Sequence, residues 1–119
     1  MGSYKRLLAW KECHKLVLDC YRATESFPKH ELYGLTSQIR RAAFSAAANI
    51  VEGSTRRGNN EFRRFLDIAL ASLSELEYAL ELAADLGYVS ADERSSLEVQ
   101  QRHARFLGWK LHGSLRNAS

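Results

Sequence analysis

Residues 61–86 read EFRRFLDIALASLSELEYALELAADL, and within them Phe62, Phe65, Leu66, Ala69, Leu73, Leu76, Leu80 and Ala83 return largely at intervals of three and four. At 100° per residue these positions fall on one side of an α-helix, with charged and polar residues on the other. Asn59 and Asn60 stand in front of the stretch, either suited to capping the free amides of a first turn, and Gly87 follows it. Such a helix would reach nearly 40 Å at about 1.5 Å per residue. Its stripe is too long to stay dry without partner helices.

Working outward, the chain supplies three partners. Upstream, residues 32–52 form a second amphipathic segment, with Gly53 as its expected stop. Before that, Leu7, Trp10, Cys13, Val17, Cys20 and Thr24 trace the apolar stripe of a helix over 8–26, ended by Phe27 and the sole proline, Pro28. Downstream, SADE at 90–93 spells a capping box, in which the Ser90 oxygen takes an amide three residues on and Glu93 reciprocates. The helix it opens, 91–114, carries Leu97, Ala104, Leu107 and Leu111, with Leu115 just beyond. No strand alternation, low-complexity run or internal repeat intervenes. Four stripes joined by short loops bury one another most simply as an all-α, antiparallel up-down four-helix bundle, one domain over 1–119. A pair of helical hairpins completing its core only in an oligomer is the alternative.

Composition bounds the function classes. With 119 residues the chain has one core, and its apolar runs fall far short of the ~20 residues that cross a bilayer. Basic residues at the start lack an apolar segment behind them, so a cytoplasmic protein without a membrane partner is expected. Cys13 and Cys20 lie about 10 Å apart along one helix, beyond the ~7 Å a disulfide spans, and read as buried thiols. The net charge of +3 is modest, but it is segmented. Residues 1–64 hold 12 Lys/Arg against 6 Asp/Glu, residues 65–98 hold 1 against 8, and residues 99–119 hold 4 against none.

Helix 2 has more apolar surface than one core face needs. Leu35, Ile39, Ala42, Ala46 and Ile50 form the expected core side, while Phe44, Ala47, Ala48 and Val51 make a second strip that marks an oligomer interface. Between them runs a polar stripe, Gln38, Arg41, Ser45, Asn49 and Glu52, read as a hydrogen-bonded network or the lining of a subunit interface, against the alternative of plain surface. Glu52 sits at the negative end of the helix dipole and calls for a nearby arginine.

Arginines crowd the turn between helices 2 and 3. Arg40, Arg41, Arg56, Arg57, Arg63 and Arg64 occupy 25 residues with only Glu52 and Glu61 against them. Guanidinium offers a planar donor fork for phosphate, and the amides opening helix 3 add positive potential nearby. Arg40, Arg56, Arg57, Arg63 and Arg64 are therefore nucleic-acid-binding candidates. Structural salt bridges and an acidic protein partner remain open for the same residues. A phosphate loop is not among the readings, because GSTRRG at 53–58 has neither the Lys-Ser/Thr nor the preceding strand.

Catalytic chemistry has no candidate. No Glu is followed three residues later by His, so a ferritin-like metal bundle is excluded, and zinc-ligand spacings are missing too. His14, His30, His103 and His112 are scattered and expected at surfaces or interfaces. Trp10, Trp109 and the other aromatic residues fall at helical spacings and read as packing groups, with base stacking secondary. No enzyme, cofactor or metal site is expected.

The runs YGLTSQIRRAAFS (33–45), ANIVEGS (48–54) and NEFRRFL (60–66), with LAWK (8–11) and ALASLSELE (69–77), resemble the four-helix-bundle family encoded in intervening sequences of 23S rRNA genes. The resemblance covers nearly the whole chain; Ala71 departs from it where glycine is expected before Ser72. It implies a bacterial bundle that assembles into closed pentameric rings, with RNA association suggested by genetic setting. Accessory proteins of diversity-generating retroelements, which bind a reverse transcriptase and nucleic acid, share the shape as an analogy of fold. Arg40, Arg41, Asn49, Glu52 and Arg57 are the matching polar residues. Two functions follow as expectations: a self-assembling module binding RNA or another nucleic acid, or an oligomeric scaffold for protein partners.

Overall fold

The computed structural model describes residues 3–116, and among these it contains helices and no strands. Four α-helices, α1 (Leu8–Thr24), α2 (Leu35–Ser54), α3 (Asn59–Asp85) and α4 (Ala91–Ser114), are joined by short connections; a 3-10 turn at Tyr4–Arg6 precedes α1 and another at Lys29–Glu31 lies between α1 and α2. Side-chain pairing fixes their directions. Along α2 and α3, Gly53 meets Phe62 and Phe65, Ser45 meets Ser72, and Leu35 shares a groove with Tyr78 and Leu82, so the numbers run oppositely. Asp19 bonds Gln100 and Glu12 faces His103 between α1 and α4, while Leu70 lies against Gly108 and Asp67 against His112 between α3 and α4. Each adjacent pair is antiparallel, giving an up-down-up-down bundle of 46 × 24 × 20 Å.

The expected stripes form the core. Leu16, Ile39, Ile50, Leu66, Leu73 and Leu76 are fully buried, with Cys13 and Cys20 among them as free thiols. Burial, reinforced by neighbouring Glu12 and Asp19, pushes both thiols up to about 12, because a thiolate has no solvent there. Small residues let α2 and α3 approach closely: Ala42 and Ala79 line one groove between them, Gly53 lies against Phe62 and Phe65, and Ala69 and Ala83 of α3 are buried as well.

Local chemistry sets the helix ends. The Ser90–Glu93 capping box is present in both directions. Helix α2 starts at Leu35, later than the expected residue 32, because Pro28 opens a 3-10 turn whose Glu31 carboxylate caps the helix by accepting from the Leu35 amide at 3.0 Å. Tyr88 donates to the other Glu31 oxygen at 2.9 Å and packs on Phe27, so the α3–α4 loop locks this corner. Gly53 does not stop α2 either. It lies buried inside the helix, and a Cβ there would stand 2.8 Å from Phe65 Cβ and 2.9 Å from Phe62 Cδ1. The left-handed turns fall instead at Gly58 (φ 80°) and Gly87 (φ 79°), at the start of α3 and after α3.

Candidate nucleic-acid interface

Antiparallel packing converts the segmented charge of the sequence into a bundle with two unlike ends. The start of α1, the α2–α3 turn and the close of α4 come together, bringing Lys5, Arg6, Arg56, Arg57, Arg63, Arg64, Lys110 and Arg116 to one end, with Glu52, Glu61 and Asp67 as the main acids there. The opposite end collects Glu25, Glu31, Glu81, Asp85, Asp92 and Glu93, with Lys29 and Arg94 as the main cations. Summed over the end, such a distribution attracts polyanions over a Debye length of roughly 8–10 Å.

Within the basic end the arginines differ in how they are held. Arg56 pairs with Glu52, the arginine partner expected for that carboxylate, and Arg64 pairs with Glu61 at 3.2 Å. Both guanidiniums also lie over the Phe65 ring, at 4.9 and 4.7 Å from its centroid. The Arg64 hydrogen bonds hold the Glu61 carboxyl below the usual carboxylate range, and Glu61 in turn raises Arg64. Arg57 is exposed and Arg63 half-buried, and among the described residues neither has an acidic partner; Arg63 Nε is buried without an acceptor. Two ordered and two uncommitted guanidiniums thus flank one short turn.

Arg40 does not join them. It sits about 21 Å along α2 from Ser54, the end of that helix from which the arginine turn begins, at about 1.5 Å per residue. There its Nε donates to Thr24 Oγ1 at 2.8 Å, a terminal nitrogen reaches the Tyr21 carbonyl, and the group stacks on the Tyr21 ring, so it ties α2 to α1. Closeness in sequence becomes distance when most of a helix runs between the residues.

The polar stripe of α2 is only partly a network. Ser45 and the buried Ser72 share a 2.8 Å hydrogen bond, and Asn49 Nδ2 donates to the Ser45 carbonyl at 2.8 Å and to its hydroxyl at 3.1 Å. Glu52 and Arg56 form a separate, exposed pair, and Gln38 and Arg41 face solvent. The apolar strip is thinner than expected as well. Ala47 is buried because α2 packs on both α1 and α3, which widens its covered arc, whereas Phe44 is 61% exposed with Ala48 and Val51 half-buried beside it.

Sequence periodicity missed one surface. Phe106 and Trp109 of α4 are 53% and 64% exposed, not packed inside, and they stand beside Arg102 and Arg105 in a groove against α3. Periodicity places them on one helix but does not say which side a neighbour covers; the absence of acids after residue 98 was the signal available. Trp10, by contrast, packs as expected, stacked on His14 and edge-on to Tyr4. No group of three or more His, Cys, Asp or Glu side chains able to hold a metal occurs among the described residues, and no helix there is long and apolar enough to cross a membrane.

Comparison with known proteins bears on this geometry. A family model described as 23S rRNA-intervening sequence protein matches residues 5–106. A crystal structure of a protein with unknown function from the S23 ribosomal protein family of Bacteroides thetaiotaomicron VPI-5482 superposes with a TM-score of 0.79 at 21% identity, covering 88% of this chain and 98% of that one. At that identity the likeness is one of fold. Curated proteins give no match.

Proposed function

The chain belongs to the 23S rRNA-intervening sequence protein family, and from that premise we propose that it is a non-catalytic, self-assembling helical module that binds nucleic acid, RNA foremost, through the arginine-rich end of its bundle. The observation carrying this reading is the convergence of three chain segments on one basic end, with Arg57 and Arg63 uncommitted to any carboxylate. Arg56 and Arg64, held over Phe65, would present their donor edges with little ordering left to do.

Self-assembly rests on the exposed Phe44 with Ala48 and Val51, an apolar strip that a second copy would cover. Five copies in a ring is the arrangement the family resemblance suggests, and the cytoplasm the place of action. A ring would repeat the basic end around one axis and turn a weak contact into an avid one.

The test is titration of the assembled protein, freed of carried-over nucleic acid by nuclease and high salt, with structured RNA, single-stranded RNA and duplex DNA over a salt series. Affinity should fall steeply as salt rises, since each neutralised phosphate releases counterions. Replacing Arg56, Arg57, Arg63 and Arg64 by Gln should lower both affinity and salt slope with assembly intact. Assembly with no affinity for any of the three would favour the protein scaffold, and loss of assembly on substitution would make the arginines an interface.

A further inference from the structure

Helix α4 carries a second surface, which starts beside the basic end at Lys110 and runs back along the helix to Val99. Its buried side is Leu97, Gln101, Ala104 and Gly108, with Gln101 donating to the Leu73 carbonyl at 3.0 Å. On another side Val99, Arg102, Phe106 and Trp109 recur at three- and four-residue spacings and are all exposed. Arg102, Arg105, Phe106 and Trp109 wall one side of an open groove of about 490 Å³, and Leu70 and Ala71 of α3 stand across it. Lys110 lies over the Phe106 ring at 5.6 Å. Two exposed rings on adjacent turns, interleaved with three cations, are the ingredients with which proteins hold bases and phosphates together.

The cations are available. Arg105 reaches Glu77 at 3.1 Å and Arg102 reaches Glu98 at 3.8 Å, but all four side chains are 43–69% exposed. Surface pairs of this kind are worth little and exchange readily for a phosphate. Residues 99–119 contain four Lys/Arg and no acid, so a second copy presenting this same later part of α4 would meet like charge, whereas a polyanion meets opposite charge. Duplexes hide the faces of their bases; flat aromatic groups gain from contact with bases that are unstacked.

We infer that the α3–α4 groove takes a single-stranded segment of nucleic acid, its bases against Trp109 and Phe106 and its phosphates against Arg102, Arg105 and Lys110. The inference rests on the nucleic-acid reading above and adds to it a strand-specific second contact. Duplex or folded regions meet the arginine end, and an adjoining unpaired stretch runs along α4.

The experiment measures affinities of the full chain for a labelled short oligouridine and for a labelled duplex at one salt concentration, in the parent and in Trp109→Ala, Phe106→Ala and Trp109→Phe. Each alanine should weaken the single strand by about tenfold or more, leave the duplex unchanged, and leave the oligomer unchanged by light scattering; Trp109→Phe should recover most of the loss. Equal losses for strand and duplex, or none for the strand, overturn the inference. So does dissociation of the oligomer, which would make the groove a contact between copies. A parent that binds duplex but not single strand overturns it while leaving the basic-end reading standing, and a parent that binds neither removes that reading too.

Discussion

Substituting Gly53→Ala puts a methyl where none fits. Its Cβ would lie 2.8 Å from Phe65 Cβ and 2.9 Å from Phe62 Cδ1, and because the first of these is the root of a side chain, only a shift of α3 itself relieves the contact. Overpacking of this sort costs about 1–3 kcal/mol. Opposing it is the helical preference for alanine over glycine, about 1 kcal/mol within α2. Taking the upper part of the first range, because backbone must move, the net loss is about 1–2 kcal/mol, or roughly 4–10 °C in Tm for a domain of this size. Gly113→Ala is the matched control. That glycine is also helical, but its added Cβ meets only the flexible end of Arg116 at 3.6 Å, so the variant should equal or slightly exceed the parent. Thermal unfolding by circular dichroism at fixed protein concentration measures all three. A Gly53→Ala protein as stable as the Gly113→Ala one would refute the close approach of α2 and α3 on which the geometry of the arginine turn depends.

Other consequences are equally direct. The Glu31 carboxyl is held below the usual carboxylate range, first by the Leu35 amide and then by the Tyr88 hydroxyl, so its stabilisation is complete above the unfolded pKa and is lost as pH falls through the folded one. Glu31→Gln should therefore melt below the parent near neutral pH and converge with it in acid; an equal gap throughout would contradict this. Cys13 and Cys20, buried and with thiols raised to about 12, should react with a thiol reagent only as fast as the protein opens, and rapid labelling of the native protein would disprove their burial. Phe44→Lys should shift light scattering toward the monomer while leaving the melting of the individual bundle nearly unchanged, since the ring is 61% exposed in the single chain; an unaltered oligomer would move the interface elsewhere.

Periodicity carried the architecture well. The capping box at 90–93 and the stripes of all four helices stand where expected, whereas Asn59 and Asn60, expected as caps, fall inside α3 behind Gly58. What depended on neighbours was less legible. Gly53 looks like a helix terminator in sequence, but its role is set by two phenylalanines on another helix. Ala47 and Trp109 traded places with expectation for the same reason: α2 is covered on two sides and α4 is left partly bare. Of the arginine group, the four around the turn cluster because a short loop brings α2 and α3 together, while Arg40, one helix length back, serves the α1 contact. The Glu52–Arg56 pair was readable from the helix dipole, though its exposure limits it to about 0–1 kcal/mol.

The most direct measurement of the central claim is ultraviolet cross-linking of the assembled protein to a structured RNA, with the attached peptides identified by mass spectrometry. Cross-links to paired regions should concentrate on residues 5–11, 56–64 and 110–116, the segments that antiparallel packing brings to the basic end, with any at 102–109 confined to unpaired stretches. Cross-links spread evenly over the bundle, or gathered at the acidic end around residues 81–93, would contradict it.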